Sequence, residues 1–222
     1  MNDSLLMNSH IAEYIGTLVP DLPLWLADVE QRAKLTEVPV IRKEAQGLLR
    51  FLTAISKPSS ILEIGTAIGF SASFLADCTG YTVPITTIEN DPGRIAEASR
   101  LFAEREEMSR TITLLPGDAA EILKDLAEND RKFDFIFLDA AKAQYPVFWP
   151  YIRRMLVPGA LLVCDNVLQE GSIAESKFTV TRRDRTIHMR MRRFIDELFA
   201  DSELTSCIVP SGDGMALSVF KG

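Results

Sequence analysis

Short apolar runs alternate with amphipathic stretches over residues 61–164. The apolar runs occupy residues 61–64, 85–88, 112–115, 133–138 and 161–164. Between them, apolar side chains recur at helical spacing near residues 70–78, 91–106, 119–128 and 145–156. Because strands that alternate with helices form parallel βαβ units, this pattern predicts a doubly wound α/β sheet with helices on both faces.

The amino-terminal quarter of the chain has a different pattern. Residues 4–56 carry apolar side chains at helical spacing, with breaks at Pro20, Pro23 and Pro39. No strand-like run interrupts this segment. We therefore predict a helical cap over residues 1–56 that packs on the α/β core.

The carboxyl-terminal end predicts a helix followed by a hairpin. A helical pattern near residues 183–200 precedes two short apolar strands at 205–209 and 215–220. The linking Ser-Gly-Asp-Gly has a composition typical of hairpin turns. Hairpin strands are antiparallel, so the last strand should close a mostly parallel sheet in the opposite direction. The chain is thus predicted to be one domain, residues 1–222, with an α/β core over 57–222.

Size, charge and cysteine content narrow the class of protein. The 222 residues suffice for one α/β domain, and a net charge of −7 argues against attraction of nucleic acid over the whole surface. The amino terminus lacks the basic and apolar regions of a signal peptide, and the apolar stretches are too short to span a bilayer. We expect a cytoplasmic protein without membrane contact, in which Cys78, Cys164 and Cys207 are reduced core thiols rather than zinc ligands.

The charge is distributed unevenly. Residues 177–193 contain seven Lys and Arg against the single acid Asp184, a segment charge of +6 that leaves −13 on the remainder. The basic residues are Lys177, Arg182, Arg183, Arg185, Arg190, Arg192 and Arg193. A local cationic face indicates contact with a polyanion, since phosphate neutralisation needs only a patch. The alternative is a solvated face that is salt-linked to the acidic remainder or to a partner subunit.

Helical spacing predicts which side of this basic segment faces the protein. The expected docking stripe consists of Ile187, Met191, Phe194, Ile195 and Leu198. At 100° per residue, the side chains expected to project away from the stripe are those of Arg182, Arg185, Arg192 and Arg193, with Arg183 and Arg190 at its flanks.

The turn after the first predicted strand is a candidate cofactor site. It reads Glu63-Ile64-Gly65-Thr66-Ala67-Ile68-Gly69 and leads into a helix. Gly65 can adopt positive φ and lets the backbone approach a ligand at the carboxyl end of the strand, where doubly wound sheets bind cofactors. The spacing is not that of the dinucleotide fingerprint, and a tight strand-to-helix connection is the alternative explanation.

Two acidic residues end the next two strands. Glu89 ends the second strand, where its carboxylate can accept hydrogen bonds from both ribose hydroxyls; an exposed loop carboxylate is the alternative. Asp118 follows the third strand at the same sheet edge. It could accept a hydrogen bond from an adenine amino group or cap the next helix.

A candidate metal site follows the fourth and fifth strands. Asp139 ends the fourth strand, and Asp165 and Asn166 end the fifth. Side chains at the tips of neighbouring parallel strands converge, and two carboxylates brought together without a cation would repel. Oxygen donors with water completing the shell favour Mg²⁺, with Mn²⁺ as an alternative. Independent helix capping by each residue is the competing interpretation.

Lys142 lies three residues beyond Asp139. Near a bound cation its ammonium form is disfavoured, so the amine could take the proton from an acceptor hydroxyl. A solvated loop lysine is the alternative.

Several motifs together resemble one enzyme family. The segments EIGTAIGFS, TIEN, GDA, LDAAKAQY, CDNVL and GDGMALS are similar to those of the metal-dependent O-methyltransferases of the catechol and caffeoyl-CoA type. The resemblance extends from Pro39 to Lys221. It implies the Rossmann-like methyltransferase form of the doubly wound fold, with S-adenosylmethionine as the methyl donor.

The resemblance also implies roles for individual residues. Cofactor contacts would come from Glu63, Gly65, Thr66, Gly69, Ser71, Glu89, Asp118, its neighbour Ala119, and Asp139. Metal ligands would be Asp139, Asp165 and Asn166, and Lys142 would be the general base.

The acceptor has two candidates. Within the family, DAAKAQY, DNVLQEG and the arginine-rich segment resemble bacterial tRNA 5-hydroxyuridine methyltransferases, which implies methylation at the wobble position of tRNA. A small catechol-like molecule is the alternative, because catechol and 5-hydroxyuridine both present two adjacent oxygens to a cation. By analogy with the family, the helices of residues 1–56 are expected to form a homodimer interface.

Overall fold

A seven-stranded mixed sheet forms the centre of the molecule. The structure is a computed structural model in which residues 9–176, 178 and 180–222 are described. The strand order is β3-β2-β1-β4-β5-β7-β6. The strands are β1 (Ile61–Ile64), β2 (Ile85–Glu89), β3 (Ile112–Pro116), β4 (Phe133–Leu138), β5 (Leu156–Cys164), β6 (Leu204–Val209) and β7 (Met215–Phe220).

The direction of the strands agrees with the prediction. β1 to β5 pair in parallel, whereas β7 runs antiparallel to β5, with Leu161 opposite Val219. β6 and β7 form the predicted hairpin. The mostly parallel, doubly wound sheet with an antiparallel carboxyl-terminal strand is therefore confirmed.

Helices cover both faces of the sheet. They are α1 (Ser9–Leu18), α2 (Leu24–Leu35), α3 (Lys43–Ser56), α4 (Phe70–Cys78), α5 (Pro92–Ala103), α6 (Glu106–Thr111), α7 (Ala119–Glu128), α8 (Tyr145–Met155) and α9 (Arg185–Ala200). Alternating residues of β4 show how the two layers divide. Phe135 and Phe137 pack with α2, α3 and α4, while Ile136 and Leu138 pack with α7, α8 and α9. This period of two buries both faces of the central strands.

The cap consists of α1, α2 and α3. α1 packs on α3, and α2 and α3 pack on α4. The helices are separated where Pro20, Pro23 and Pro39 were expected to break them. The predicted helical cap is thus observed for residues 9–56, and the remainder of that prediction, residues 1–8, lies outside the described residues.

Two predicted elements differ from the structure. The single helix expected over 91–106 is two helices, because Arg105 adopts an extended conformation between them. In this conformation its guanidinium lies 4.7 Å from the centroid of the Trp25 ring in the cap. The fifth strand begins at Leu156 rather than at residue 161. A register shift in its pairing with β4 accompanies the exposed residues Pro158 and Gly159, which separate Leu156 from the buried end of the strand.

The prediction of core thiols is wrong for Cys207. Cys164 is buried and Cys78 is half-buried, but Cys207 is exposed. It lies on the edge strand β6, where the side-chain alternation places it with exposed Thr205 on the outer face. No helix in the described part of the chain is long and apolar enough to span a membrane.

Candidate active site

A cavity of about 510 Å³ opens at the carboxyl ends of the parallel strands. This edge is where doubly wound sheets bind ligands. The predicted site residues in its wall are Gly65, Thr66, Ser71, Glu89, Asp118, Ala119, Asp139, Lys142, Asp165 and Asn166. Among the described residues, the predicted cofactor contacts Glu63 and Gly69 are not part of this wall.

The turn from β1 to α4 brings the backbone close to β4. Gly65 has a φ of 104°, and a Cβ at this position would lie 1.9 Å from the carbonyl oxygen of Asp139. The Gly65 amide donates to Ile88 of β2 at 3.0 Å. Only glycine can therefore hold this turn against both neighbouring strands.

Glu63 lies beneath the turn instead of in the cavity. Its side chain is fully buried and accepts a hydrogen bond from the hydroxyl of Thr87. The Thr87 and Thr66 hydroxyls are 2.5 Å apart, and Thr66 lines the cavity. Burial, opposed by hydrogen bonds from Ser71 and Thr87, raises the pKa of Glu63 to about 7. Glu63 thus supports, from below, the turn that the sequence predicted to bind the cofactor.

Gly69 has a packing role. It has a φ of 92° and precedes α4 as its amino-terminal cap. A Cβ there would lie 2.8 Å from the ring of Phe102. The glycine therefore lets α4 begin against α5.

The Glu89 carboxylate is held by three backbone amides. Its Oε2 accepts from Ala67 at 2.8 Å, and its Oε1 accepts from Asn90 and Asp91 at 2.9 and 3.0 Å. Oε2 has a single partner and keeps acceptor capacity for a ligand hydroxyl. This orientation fits the predicted ribose contact.

Asp118 caps α7. Its carboxylate accepts from the amides of Ala120 and Glu121 at 2.9 and 3.3 Å, as in an ordinary helix N-cap. Asp118 and Ala119 also line the cavity. The two roles left open by the sequence are therefore compatible, since the second carboxylate oxygen has no role in the cap.

Asp139, Asp165 and Asn166 come together at the ends of β4 and β5. The side-chain amide of Asn166 lies 3.2 Å from Oδ1 of Asp139. Asp165 accepts a 2.7 Å hydrogen bond from the backbone amide of Asn166, which has a φ of 58°. The convergence predicted from the strand ends is thus present in the structure.

The electrostatics of this cluster favour a bound cation. Burial and the charge of Asp139 raise the pKa of Asp165 to about 7. Burial also raises the pKa of Asp139, against the opposing effects of Lys142 and Asn166. Two carboxylates that resist simultaneous ionisation are stabilised by a divalent cation. In the described ranges no group of three or more His, Cys, Asp or Glu side chains is placed to bind a metal, so Asn166 would be the third donor.

Lys142 begins a short 3-10 turn that ends at Gln144. Its side chain is half-buried and lines the cavity, and its charge lowers the pKa of both Asp139 and Asp165. An amine beside this cluster can accept a proton from a hydroxyl bound there.

Comparison with known proteins identifies the family. Residues 24–221 match the sequence model of the O-methyltransferase family. The chain belongs to this O-methyltransferase family. Catechol O-methyltransferase from Niastella koreensis is 29% identical over 97% of this chain and 100% of that protein. Catechol O-methyltransferase from Mycobacterium tuberculosis is 34% identical over 72% of this chain and 73% of that protein.

The fold of the O-methyltransferase is also that of a solved relative. The structure of TomG, an O-methyltransferase from Streptomyces achromogenes in complex with SAM, superposes with a TM-score of 0.83, at 24% identity and with 100% of both chains covered. At this identity the similarity establishes the fold alone. The predicted enzyme class, an S-adenosylmethionine-dependent O-methyltransferase with a Rossmann-like sheet, is confirmed by the family match and the fold together.

Several residues that line the cavity of the methyltransferase come from distant segments and were not predicted from the sequence. The cap contributes Ile41, Arg42 and Ala45, and the hairpin turn contributes Gly212 and Asp213. A signal for the hairpin turn was available. A last strand antiparallel to β5 must begin where β5 ends, so the turn before it has to lie at the edge that holds the cavity.

The basic segment contacts a turn in the wall of the candidate active site. α9 packs against the turn that contains Lys142, and Arg190 donates to the carbonyl of Ala143 at 3.2 Å. Five arginines of the segment are exposed, namely Arg182, Arg183, Arg190, Arg192 and Arg193. Arg193 forms a salt bridge with Glu197.

Some details of this segment differ from the prediction. Arg185 is half-buried and donates to the carbonyl of Val180, so it does not project away. The buried stripe of α9 contains His188 in addition to Met191, Phe194 and Leu198, while Ile187 and Ile195 are half-buried. Lys177 lies outside the described residues.

Proposed function

We propose that this O-methyltransferase uses Mg²⁺ to methylate the 5-hydroxyl of 5-hydroxyuridine at the wobble position of tRNA. The observation that carries the proposal is the contact between the arginine-bearing helix α9 and the turn that contains Lys142. A substrate base bound at Lys142 would bring its flanking phosphates toward exposed arginines.

The methyl donor, S-adenosylmethionine, would occupy the cavity. Glu89 is held with one acceptor site open toward a ribose hydroxyl, and Asp118 and Ala119 are available for the adenine. The turn at Gly65 and Thr66, with Ser71, would hold the methionine part of the donor. These contacts would orient the sulfonium methyl toward the strand ends that carry Asp139 and Asp165.

The oxygen donors of Asp139, Asp165 and Asn166 fit a hard divalent cation, Mg²⁺ or Mn²⁺. Lewis-acid polarisation of the acceptor hydroxyl is the chemistry that such a cation supplies when bound. Lys142 then accepts the hydroxyl proton as the acceptor oxygen forms its bond to the methyl carbon and the bond from that carbon to sulfur breaks. Positioning of the two reactants provides much of the rate enhancement.

Charge supports an RNA acceptor. On a chain with a net charge of −7, the exposed arginines lie on or just before the helix that contacts the Lys142 turn, which would give the acceptor side a local positive potential. Such a patch would bind the phosphates of tRNA near the reacting base. A small neutral phenol carries no charge that would pair with these arginines.

A small catechol is the second candidate acceptor. The observation that favours it is the name of two relatives, both catechol O-methyltransferases, at 29% and 34% identity. Catechol presents two adjacent oxygens, as 5-hydroxyuridine does through its 5-hydroxyl and 4-carbonyl. The cluster of Asp139, Asp165 and Asn166 fits either acceptor, so the choice between them depends on the surface around it.

The deciding experiment is methyl transfer from labelled S-adenosylmethionine in the presence of Mg²⁺. The acceptors to compare are tRNA that carries 5-hydroxyuridine, the same tRNA without that modification, and catechol. The proposal expects labelling of the first tRNA alone, with loss of labelling on addition of EDTA. Rapid turnover of catechol with unlabelled tRNA would establish the second candidate, and labelling that persists in EDTA would exclude the metal.

A further inference from the structure

The hydroxyl group of Tyr145 lies between the two strand ends that carry the acidic residues. Its Oη is 3.2 Å from the carbonyl oxygen of Leu138, at the end of β4, and 3.1 Å from the carbonyl oxygen of Asp165, just beyond β5. The backbone amide of Ala140 donates to the same Oη at 3.4 Å. One buried hydroxyl therefore contacts the backbone on both sides of Asp139 and at Asp165 itself.

The hydrogen-bonding capacity of the hydroxyl matches this position. A tyrosine donates one proton and can accept as well, so it shares its proton between the two carbonyls while it accepts from Ala140. The three contacts therefore use both the donor and the acceptor capacity of the hydroxyl.

The ring that carries this hydroxyl is fixed by packing. Tyr145 is fully buried and contacts Phe194 of α9 edge to face, with centroids 5.4 Å apart. Trp149 packs on the same Phe194 ring at 6.3 Å. On the other side of the Asp139 backbone lies Gly65, whose close approach leaves no room for a Cβ. The end of β4 is thus held between a rigid turn and a rigid tyrosine.

We propose that Tyr145 is a positioning residue that sets the separation of the Asp139 and Asp165 carboxylates. The proposal rests on the metal site of the proposed function. Without the hydroxyl, the backbone of Leu138 and that of Asp165 lose a shared hydrogen-bond partner, and the contact of the Asn166 side chain with Asp139 remains. The two carboxylates would then meet a cation at a less well-defined spacing, and its affinity would fall.

The test compares Tyr145→Phe with Tyr151→Phe. Tyr151 lies on the same helix, half-buried and packed on the same core, but six residues further along. The probe is Mg²⁺ alone, titrated calorimetrically into each protein. We expect Tyr145→Phe to weaken Mg²⁺ binding about tenfold or more, the range found when groups that orient metal ligands are removed. Tyr151→Phe should bind Mg²⁺ as the unsubstituted protein does.

Two further readouts separate positioning from general destabilisation. Affinity for S-adenosylmethionine should be unchanged in Tyr145→Phe, and amide hydrogen exchange should accelerate near residues 138–140 and 165–166 but not in β1 or β2. Equal Mg²⁺ affinity in the Tyr145→Phe and unsubstituted proteins would overturn the inference while leaving the metal site intact. Failure of the unsubstituted protein to bind Mg²⁺ would overturn the metal site and this inference with it.

A second variant covers the case in which Tyr145→Phe does not fold. Phe194→Leu keeps the hydroxyl but loosens the ring contact that holds it. Its Mg²⁺ affinity should fall by a smaller factor, with unchanged affinity for S-adenosylmethionine. Unaltered Mg²⁺ binding in this variant would also contradict the proposed role.

Discussion

The guanidinium of Arg190 donates a 3.2 Å hydrogen bond to the backbone carbonyl of Ala143, across 47 positions of sequence. Ala143 directly follows Lys142 in the 3-10 turn. The contact joins the basic helix to the neighbour of Lys142, the residue that would accept the hydroxyl proton. A polyanion bound to α9 would therefore lie next to the reacting groups rather than on a remote surface.

The first prediction concerns RNA binding. Arg182, Arg183 and Arg192 are exposed, so changing all three to Glu should weaken tRNA binding at least tenfold and make it less dependent on salt, because fewer phosphates are neutralised. Binding can be measured by fluorescence anisotropy at several salt concentrations. Affinity for S-adenosylmethionine should not change.

The matched control for this variant reverses charge elsewhere. Arg100, Arg110 and Lys124 are exposed on α5, α6 and α7, and changing all three to Glu should leave tRNA affinity almost unaltered. Equal losses in the two variants would indicate a general charge effect. Undiminished binding in the triple variant would remove the RNA interface from the proposal.

The second prediction concerns Lys142. Replacement by Met keeps most of the side-chain length and removes the amine, so kcat should fall by about 10² to 10⁴, the usual contribution of general acid–base catalysis. Binding of S-adenosylmethionine should stay within about twofold. A kcat close to that of the unsubstituted enzyme would exclude Lys142 as the base.

The third prediction concerns self-association through the cap. Ile11, Tyr14 and Leu18 are more than half exposed along one side of α1, and Phe51 and Ile55 are similarly exposed on the α3 helix against which α1 packs. This apolar surface supports the proposal of a homodimer. Phe51→Glu combined with Ile55→Glu should yield a monomer by light scattering. Leu35→Glu, at an exposed position of α2, is the control, and a monomeric unsubstituted protein would refute the proposal.

Much of the candidate site could be predicted from the sequence, because a residue that follows a parallel strand lies at the carboxyl edge of the sheet. Asp139 and Asp165 each follow an apolar run, and runs that pair in parallel place their final residues at one edge. The cluster with Asn166 follows from this rule without knowledge of the loops. Glu89 was predicted on the same basis.

The remainder depends on packing between distant segments. The position of Glu63 beneath the cofactor turn depends on its pairing with Thr87 in the neighbouring strand, which the order of residues does not reveal. His188 lies one turn before Met191 and is buried on the same face of α9, although its side chain is polar. The hydroxyl of Tyr145 likewise gains its role only once β4 and β5 are adjacent.

The fourth prediction is a pH dependence of stability that originates in Glu63. Its folded-state pKa is about 7, above the ordinary value of 4.5, so the folded protein favours the neutral form. The stabilising contribution is complete below about pH 4.5 and is lost as the pH rises through 7. The free energy of unfolding of Glu63→Gln, measured relative to that of the unsubstituted protein, should therefore increase by about 3 kcal/mol as the pH rises from 5 to 8.

Glu30 provides a control of opposite sign. Although burial raises the pKa of Glu30, hydrogen bonds from Lys34 and Gln46 lower it below its ordinary value. Glu30→Gln should accordingly lose stability relative to the unsubstituted protein at pH 8 and lose less at low pH. Urea unfolding of both variants at the two pH values checks these signs, and parallel behaviour of the two would contradict the assignment.

The fifth prediction concerns the effect of Asp165 on thermal stability in the absence and in the presence of Mg²⁺. Because burial and the charge of Asp139 raise the pKa of Asp165 to about 7, ionised Asp165 destabilises the metal-free protein at pH 8. Asp165→Asn should raise the melting temperature there in the presence of EDTA. The same change removes a ligand, so added Mg²⁺ should no longer stabilise the variant, whereas it should stabilise the unsubstituted protein.

The control is Asp125→Asn, at an exposed position of α7, which should change the melting temperature neither in EDTA nor in Mg²⁺. A Mg²⁺-dependent rise that survives in Asp165→Asn would place the cation elsewhere, because a site that has lost one of its two carboxylates binds a divalent ion much more weakly.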